Sequence, residues 1–451
     1  MIEFLRTTGR RLLLASPRGV CRAAALSRVA ASLVCPRSAS AINSRSVQGG
    51  GIWAENRLTC LFGVGADSRI GQVRSSFARC FRICKHWHDV LAYYPPREDL
   101  RRNDLCSWFK ANPMNVRNLP RPYLLFLDDA TEAACAKTAF GLRDWAPDLC
   151  VGEFACQGAN ITLGLQRLTP AEAHARGARA LVIGVANIGG VVQDNWIAAL
   201  CDALEAGLDL ISGMHGRLAE VPTLRAAAER HNRRLIDVRA PPRDIPIATG
   251  RKRSGKRLLT VGTDCALGKK YTALAVTREF KRRGVDATFR ATGQTGILIA
   301  GSGIPIDAVV SDFVAGAAEM LSPDAPSDHW DIVEGQGSIF HPSYAGVSLG
   351  LLHGTQPDVV LLCHAVGRER ILSLPDYETP SLEEALELTL TLARRTNPRV
   401  RAAGISLNTS ALAGEHAQSV MEQLAARIHL PVADPLRTGP AFDGLVEACL
   451  G

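Results

Sequence analysis

The stretch LLTVGTDCALGKKYTALAV, Leu258 to Val276, decides the fold. It reads as an apolar strand, a glycine turn and the first turns of a helix. Free N–H groups and the positive dipole end of such a helix attract anions. Gly262 and Gly268 let the backbone approach a phosphate closely, Thr263 and Asp264 sit in the turn, and Lys269 adds a point charge. The common phosphate loop is G-x-x-x-x-G-K-[ST], in which the last residue's hydroxyl helps to hold magnesium. Here the first glycine is one position early and Lys270 stands in the hydroxyl's place, while Thr272 lies further along the helix. The expectation is a polyphosphate site neutralised by Lys269 and Lys270, with no metal required. A chance strand–glycine–lysine turn is the competing reading. The binding candidates are Gly262, Thr263, Asp264, Gly268, Lys269, Lys270, Tyr271 and Thr272, with Asn408 further on, whose amide can read a base edge.

Outward from this stretch, short apolar runs alternate with helical ones. RLLTVG, DATFRATG, WDIVEG, DVVLLCHA, AAGISLN and LPVADP read as strands, and SLEEALELTLTLARRT (381–396) as a helix with a serine cap. Strand–helix alternation implies a parallel sheet covered on both faces, with ligands at the carboxyl ends of the strands. WDIVEGQGSIFHPSYAG (330–346) follows one strand and supplies Asp331, Glu334, Gln336, Ser338, His341, Ser343 and Tyr344. FRATGQTGILIAG (289–301) follows another and supplies Arg290, Thr292, Gln294 and Thr295. His341 is the first candidate for a general base, Glu334 the second and Asp264 the third, unless Asp264 organises the loop. Ser338, or the backbone N–H groups of 335–338, are candidate oxyanion donors. A lone histidine such as His364 is more often structural. Cys265 packs against the sheet or, less favoured, accepts an acyl group.

The same rhythm fills residues 119–239: YLLFL (123–127), a helix over 131–145, a capped TPAEAHARGA (169–178), ALVIGVAN (180–187), DNWIAALCDALEAG (194–207), LDLISGMH (208–215), VPTLRAAAERH and RLIDVR. This predicts a first α/β domain built on a parallel sheet. ANIGG (186–190) and SGMHGR (212–217) fall on its ligand-facing rim, or are tight turns that need glycine. Residues 240–256 read as a linker and 257–451 as the second, P-loop-like domain. Residues 1–118 read as an unstructured leader. Its first 54 residues hold Glu3 as the sole acid, a pattern of upstream translation from a misassigned start, with Met114 the preferred initiator and a mitochondrial transit peptide second.

Lys and Arg exceed Asp and Glu by 8 over the 451 residues, but residues 1–113 alone carry 18 basic and 7 acidic side chains. The remainder is slightly acidic, which excludes a basic nucleic-acid footprint there. No apolar run is long enough to span a membrane. Thirteen cysteines, an odd number without a C-x-x-C pair, read as reduced thiols in a cytoplasm rather than a disulfide framework or a zinc site.

GTDCALGKK, VEGQGS and GISLN in this order resemble the dethiobiotin synthetase-like branch of P-loop proteins. PRPYLLFL, LVIGVAN, KRSGKRLLTVGTDCALGKKYTAL, FRATGQTGILIAG, HWDIVEGQGSIFHPSYAGVSLGLLHG and NTSAL are similar to the D-glutamate N-acetyltransferase family over residues 119–451. That resemblance implies a Rossmann-like domain followed by a P-loop-like one. It implies acetyl transfer from acetyl-CoA to the amine of D-glutamate, in D-amino-acid catabolism. The product would pass to a separate epimerase-type enzyme, and a homo-oligomer is expected. On this reading the lysines of the loop hold the coenzyme's diphosphate, His341, Glu334 and Ser338 are catalytic, and Arg290, Thr292, Gln294, Thr295, Gln336 and Ser343 bind the amino acid. The alternatives are an ATP-dependent ligase or kinase acting on a small carboxylic acid, and a nucleotide-binding sensor.

Overall fold

The computed structural model describes residues 119–451, except 129, 131, 157, 158 and 186–188. The expectations about the leader, Met114 and the first half of ANIGG lie outside these residues. Within them are two parallel sheets.

The first sheet holds β1 (Tyr123–Asp128), β2 (Cys150–Ala155), β3 (Ala180–Ile183), β4 (Asp209–Ser212) and β5 (Leu235–Asp237) in the order 2-1-3-4-5. All of its pairings are parallel. Every side chain of β1 and β3 is buried, which is why both read as unbroken apolar runs. The helices are α1 (Lys137–Trp145), α2 (Pro170–Ala175), α3 (Ile197–Glu205) and α4 (Pro222–Arg230). Two of them start later than their sequence suggests. A 3-10 turn occupies 133–136 before α1 and another occupies 194–196 before α3, and neither has a side-chain cap to start an α-helix. Where a cap exists the start is sharp: Thr169 and Glu172 form a reciprocal capping box ahead of α2. The chain leaves β1 in opposite directions toward β2 and β3, so a crevice opens at their carboxyl ends.

The second sheet is built from β6 (Lys256–Gly262), β7 (Ala287–Arg290), β8 (Trp330–Val333), β9 (Val359–Ala365), β12 (Arg401–Asn408) and β13 (Val432–Ala433). Its order is 13-12-9-6-8-7, and a small antiparallel hairpin, β10 (Arg370–Ile371) with β11 (Leu374–Glu378), lies outside it. Its helices are α5 (Lys269–Arg282), α6 (Gln294–Ala300), α7 (Val314–Leu321), α8 (Ala345–Thr355), α9 (Leu382–Ala393), α10 (Gly414–Ile428) and α11 (Pro440–Leu450). Buried residues of α5 and α11 form one core against the sheet; α7 to α10 supply two others. Residues 240–254 hold no regular element but are bonded to the second sheet's helices. Glu319 accepts N–H groups of Thr249 and Gly250, and Arg253, 6% exposed, donates to the carbonyls of Ser322, Gly354 and Thr355.

Helix α6 joins the two sheets. Its Ile297 and Leu298 are buried in the core of the first one. Arg121 donates to the carbonyls of Leu298 and Ile299 at 3.1 and 3.2 Å, closing the contact. Thr138 of α1 meets Thr295 of α6, hydroxyl to hydroxyl at 3.2 Å, and Trp145 stacks on Tyr271 with centroids 6.0 Å apart.

Candidate active site

The loop between β6 and α5 is wrapped around its own backbone. Gly268 caps α5 at φ +109, a left-handed conformation that glycine adopts without strain, and no side chain caps the helix. The N–H groups of the first turn therefore have no intrahelical partner. Asp264 is fully buried. Its carboxylate takes the N–H of Cys265 at 2.6 Å, and Arg368 and the N–H of Leu372 at 2.8 Å each. It thus ties the loop to the hairpin behind β9, which fits the organising role. Thr263 bonds His364 at 2.8 Å. Burial holds the His364 imidazole below its ordinary pKa, and Arg368 adds to this.

The two lysines face different neighbours. Lys269 folds back into the loop and donates to the carbonyl of Asp264 at 2.7 Å, and burial pulls its pKa down. Lys270 leaves the loop and lies over the ring of Tyr271, 4.6 Å from its centroid, beside Gly141 of α1. The expectation of a paired-lysine cradle is therefore corrected. Successive residues of an α-helix point about 100° apart, so one lysine faces the loop and the other the first sheet. Tyr271 goes the same way as Lys270. Thr272, the next hydroxyl along the helix, is committed to Ser406 at 2.7 Å and to the Gly268 carbonyl at 3.1 Å.

Glu334 follows β8 and is 4% exposed. One carboxylate oxygen accepts the N–H groups of Thr292 and Gly293, at 2.9 and 3.1 Å, as the chain enters α6. Burial raises its pKa, while Lys270 and the two N–H groups oppose the rise. The Thr292 hydroxyl donates to the Glu334 carbonyl at 2.7 Å and receives the Gln336 amide at 2.9 Å. Gln294 reaches the first sheet: a Cβ added to Gly213 would lie 1.7 Å from its Oε1. Lys270, Glu334, Thr292, Gln294, Thr295 and Gln336 thus converge where the carboxyl ends of both sheets meet. Gly213 belongs to the expected SGMHGR rim. That rim is braced by the N–H of Gly216 donating to the Gly190 carbonyl.

A second cluster sits against the loop. One donor atom each of Asp264, Cys265 and His341 lies within 4.8 Å of the others. Asp264 already accepts three hydrogen bonds, an arginine's among them, and burial raises the Cys265 thiol pKa, so the set is poorly suited to a cation. His341 is 4% exposed, and its Nδ1 accepts the N–H of Ser343 at 3.1 Å. That bond places the proton of the neutral ring on Nε2. His341 then offers a donor, not a free base, which corrects its first-candidate assignment. Ser343 serves through its backbone, with its side chain in solvent. Ser338 is buried, accepts the N–H of Phe340 and borders a cavity of only about 20 Å³. The Gly335 N–H is held by Thr260, so only the N–H groups of 336–338 remain in that turn. Asn408 accepts the N–H of Ser410.

Arg290 is displaced from the site. It bonds Asp331 at 2.6 Å, and that carboxylate, 1% exposed, also takes Ser322 and His329. Turning Arg290 away to clamp a substrate would cost this buried ion pair its closest cation. Sequence reading missed Arg368, Thr138 and Gly141, whose roles arise only through contacts between distant segments. A cavity of about 610 Å³ opens beside the loop, lined by His364, Arg368, Arg370, Thr379, Leu407 and Arg427 among others.

Residues 246–443 match a domain of unknown function described as the DUF1611_C P-loop domain, and residues 150–241 match the DUF1611_N Rossmann-like domain. A D-glutamate N-acetyltransferase of Tritonibacter scottomollicae is 52% identical over 70% of this chain and 96% of its own length. One of a Pseudoalteromonas species is 47% identical over the same shares. A crystal structure of a DUF1611 family protein from Anabaena variabilis ATCC 29413 superposes with a TM-score of 0.67. It is 31% identical and covers 73% of this chain and 99% of its own.

Proposed function

We propose, for a chain that belongs to the DUF1611 family of D-glutamate N-acetyltransferases, that it moves the acetyl group of acetyl-CoA to the amine of D-glutamate. The observation that carries this reading is the pairing of an anion cradle lacking a free magnesium hydroxyl with a buried, raised-pKa carboxylate in the adjoining crevice. Phosphoryl transfer relies on a metal to neutralise developing charge. Acyl transfer from a thioester needs a base and oxyanion donors instead.

The roles follow from position. The first-turn N–H groups of α5, Lys269 and the Nε2–H of His341 are donors around one anion site, suited to the coenzyme's diphosphate. The neighbouring cavity takes the nucleotide end; its size falls within the range of about 300–1,000 Å³ usual for such ligands. Glu334 is the general base. Burial brings its proton affinity nearer to neutrality, where a base is most effective. It takes one proton from the acceptor's ammonium; the amine attacks the acetyl carbon to give a tetrahedral oxyanion, which collapses by breaking the carbon–sulfur bond, and the nitrogen's second proton passes to the departing sulfur to give the free thiol. The backbone N–H groups of 336–338 are the proposed oxyanion donors, since the Gly335 N–H is taken by Thr260. Gln294, Thr295 and Gln336 line the acceptor's side of the crevice.

The test incubates purified protein with acetyl-CoA and, separately, D-glutamate, L-glutamate, D-glutamine and D-aspartate, with EDTA present, following free thiol. Thiol release confined to D-glutamate is expected. No release with any acceptor, or an absolute need for magnesium, would overturn the proposal.

A further inference from the structure

We infer that Lys270, at the position where phosphate loops carry their metal-binding hydroxyl, is the cation that receives a carboxylate of the amino-acid acceptor. The inference rests on the acetyl-transfer reading and deepens it.

An acidic amino acid entering this crevice brings carboxylates that must meet fixed positive charge or lose their hydration without return. Most nearby cations are committed. Arg290 is held by Asp331, Arg121 by two α6 carbonyls, Lys269 by the Asp264 carbonyl and Arg239 by Asp307. Lys270 has no hydrogen-bond or ion-pair partner among the described residues; its ammonium rests on the face of Tyr271. It stays partly exposed, as a group awaiting a ligand must.

The surroundings support the assignment. Lys270 lies against α1 at Gly141, where an added Cβ would be 3.1 Å from its Nζ and 2.8 Å from the methyl of Thr295. The absence of a side chain at 141 therefore makes room for the ammonium at the junction of the two sheets. Lys137, one turn earlier on α1, adds positive potential, and Glu334, the proposed base, lies within electrostatic reach of Lys270. A carboxylate on Lys270 would set the acceptor between the cation and the base. A structural cation would instead be expected to close an ion pair with Glu334 or Asp144, and neither pair is formed.

The experiment measures KM for D-glutamate at saturating acetyl-CoA, and KM for acetyl-CoA at saturating D-glutamate, in the full chain and in Lys270→Met. Loss of one charged hydrogen bond predicts a rise of roughly tenfold to a hundredfold in the D-glutamate KM, with the acetyl-CoA KM unchanged. A rise confined to the acetyl-CoA KM, or no change in either, would overturn the inference. Should Lys270→Met fail to fold, Lys270→Gln is read in the same way. If the wild-type protein releases no thiol, the acetyl-transfer reading falls on its own. Calorimetry of D-glutamate binding then decides Lys270 separately: binding lost in the variant supports its role, and equal binding refutes it.

Discussion

Replacing Glu334 by glutamine removes the proposed base while keeping the shape of its side chain. The carboxylate oxygen that holds Thr292 and Gly293 can be replaced by the amide oxygen, so the entry to α6 keeps both bonds. A general base supplies roughly 10²–10⁴-fold. Glu334→Gln should therefore lower kcat by that factor, about 2.7–5.5 kcal/mol in activation free energy. The pH profile is the sharper readout. A base works deprotonated, and burial holds the Glu334 pKa above the ordinary carboxylate value of 4.5. The acid limb of kcat/KM should lie above that value in the wild type and vanish in the variant. Stability should move the other way. A carboxyl whose folded pKa is raised binds its proton more tightly when folded, so stability falls as pH rises from the unfolded to the folded pKa. Glutamine escapes that loss, and the thermal midpoint of the variant at neutral pH should equal or exceed the wild type's. The assay is continuous thiol detection with D-glutamate from mildly acidic to alkaline pH, with thermal melts alongside. A variant within tenfold of wild-type turnover, or one that keeps the acid limb, would refute the reasoning.

Three further substitutions probe the remaining parts. Lys269→Met should raise the acetyl-CoA KM roughly tenfold or more and leave the D-glutamate KM near its wild-type value, because on the proposed reading the two donors its ammonium keeps beyond the Asp264 carbonyl serve the coenzyme's diphosphate. His341→Gln, which keeps a donor near the place of Nε2, should bind acetyl-CoA more tightly by calorimetry than His341→Ala; equal weakening in both would restore a base role. Gly213→Ala puts a methyl 1.7 Å from the Gln294 oxygen. The glutamine end can swing away but its Cβ, 2.9 Å from the new methyl, moves only with α6, so folding should survive at a cost of about 1–3 kcal/mol while the D-glutamate KM rises. An unchanged KM would remove Gln294 from the acceptor site.

Much of the architecture was legible because parallel strands covered on both faces need continuous apolar runs. YLLFL and DVVLLCHA could hardly be anything else, and the glycine turn after β6 announced the second sheet. Helix starts were less legible: α1 and α3 each follow a 3-10 turn, and an apolar period alone does not distinguish that turn from an α-helix without a cap. The candidate site was only half readable. Thr292, Gln294 and Thr295 were found as polar groups after a strand, but QTGILIA gives no sign that its apolar face is buried in the other sheet's core. Arg290 looked like a substrate clamp because its partner, Asp331, lies 41 residues away in sequence. The tautomer of His341 depends on a single backbone N–H two residues on, which spacing does not reveal.

The reading of the two lysines failed for a different reason, since the means to correct it was present in the sequence. Residues 269 and 270 open α5, and neighbours on a helix diverge by about 100°. With Lys269 turned into the loop, Lys270 had to face elsewhere. In the usual phosphate loop a short hydroxyl in that position stays close enough to the loop to share its metal. Lysine carries its charge on a four-carbon stem and reaches across to α1 instead. Substitution of the hydroxyl thus does two things at once: it removes a metal ligand from one site and delivers a cation to the next. A loop that had only lost its magnesium function could carry any residue there. On the inferred assignment, the placement of the charge against Gly141, within electrostatic reach of Glu334, links the altered loop to an acidic acceptor.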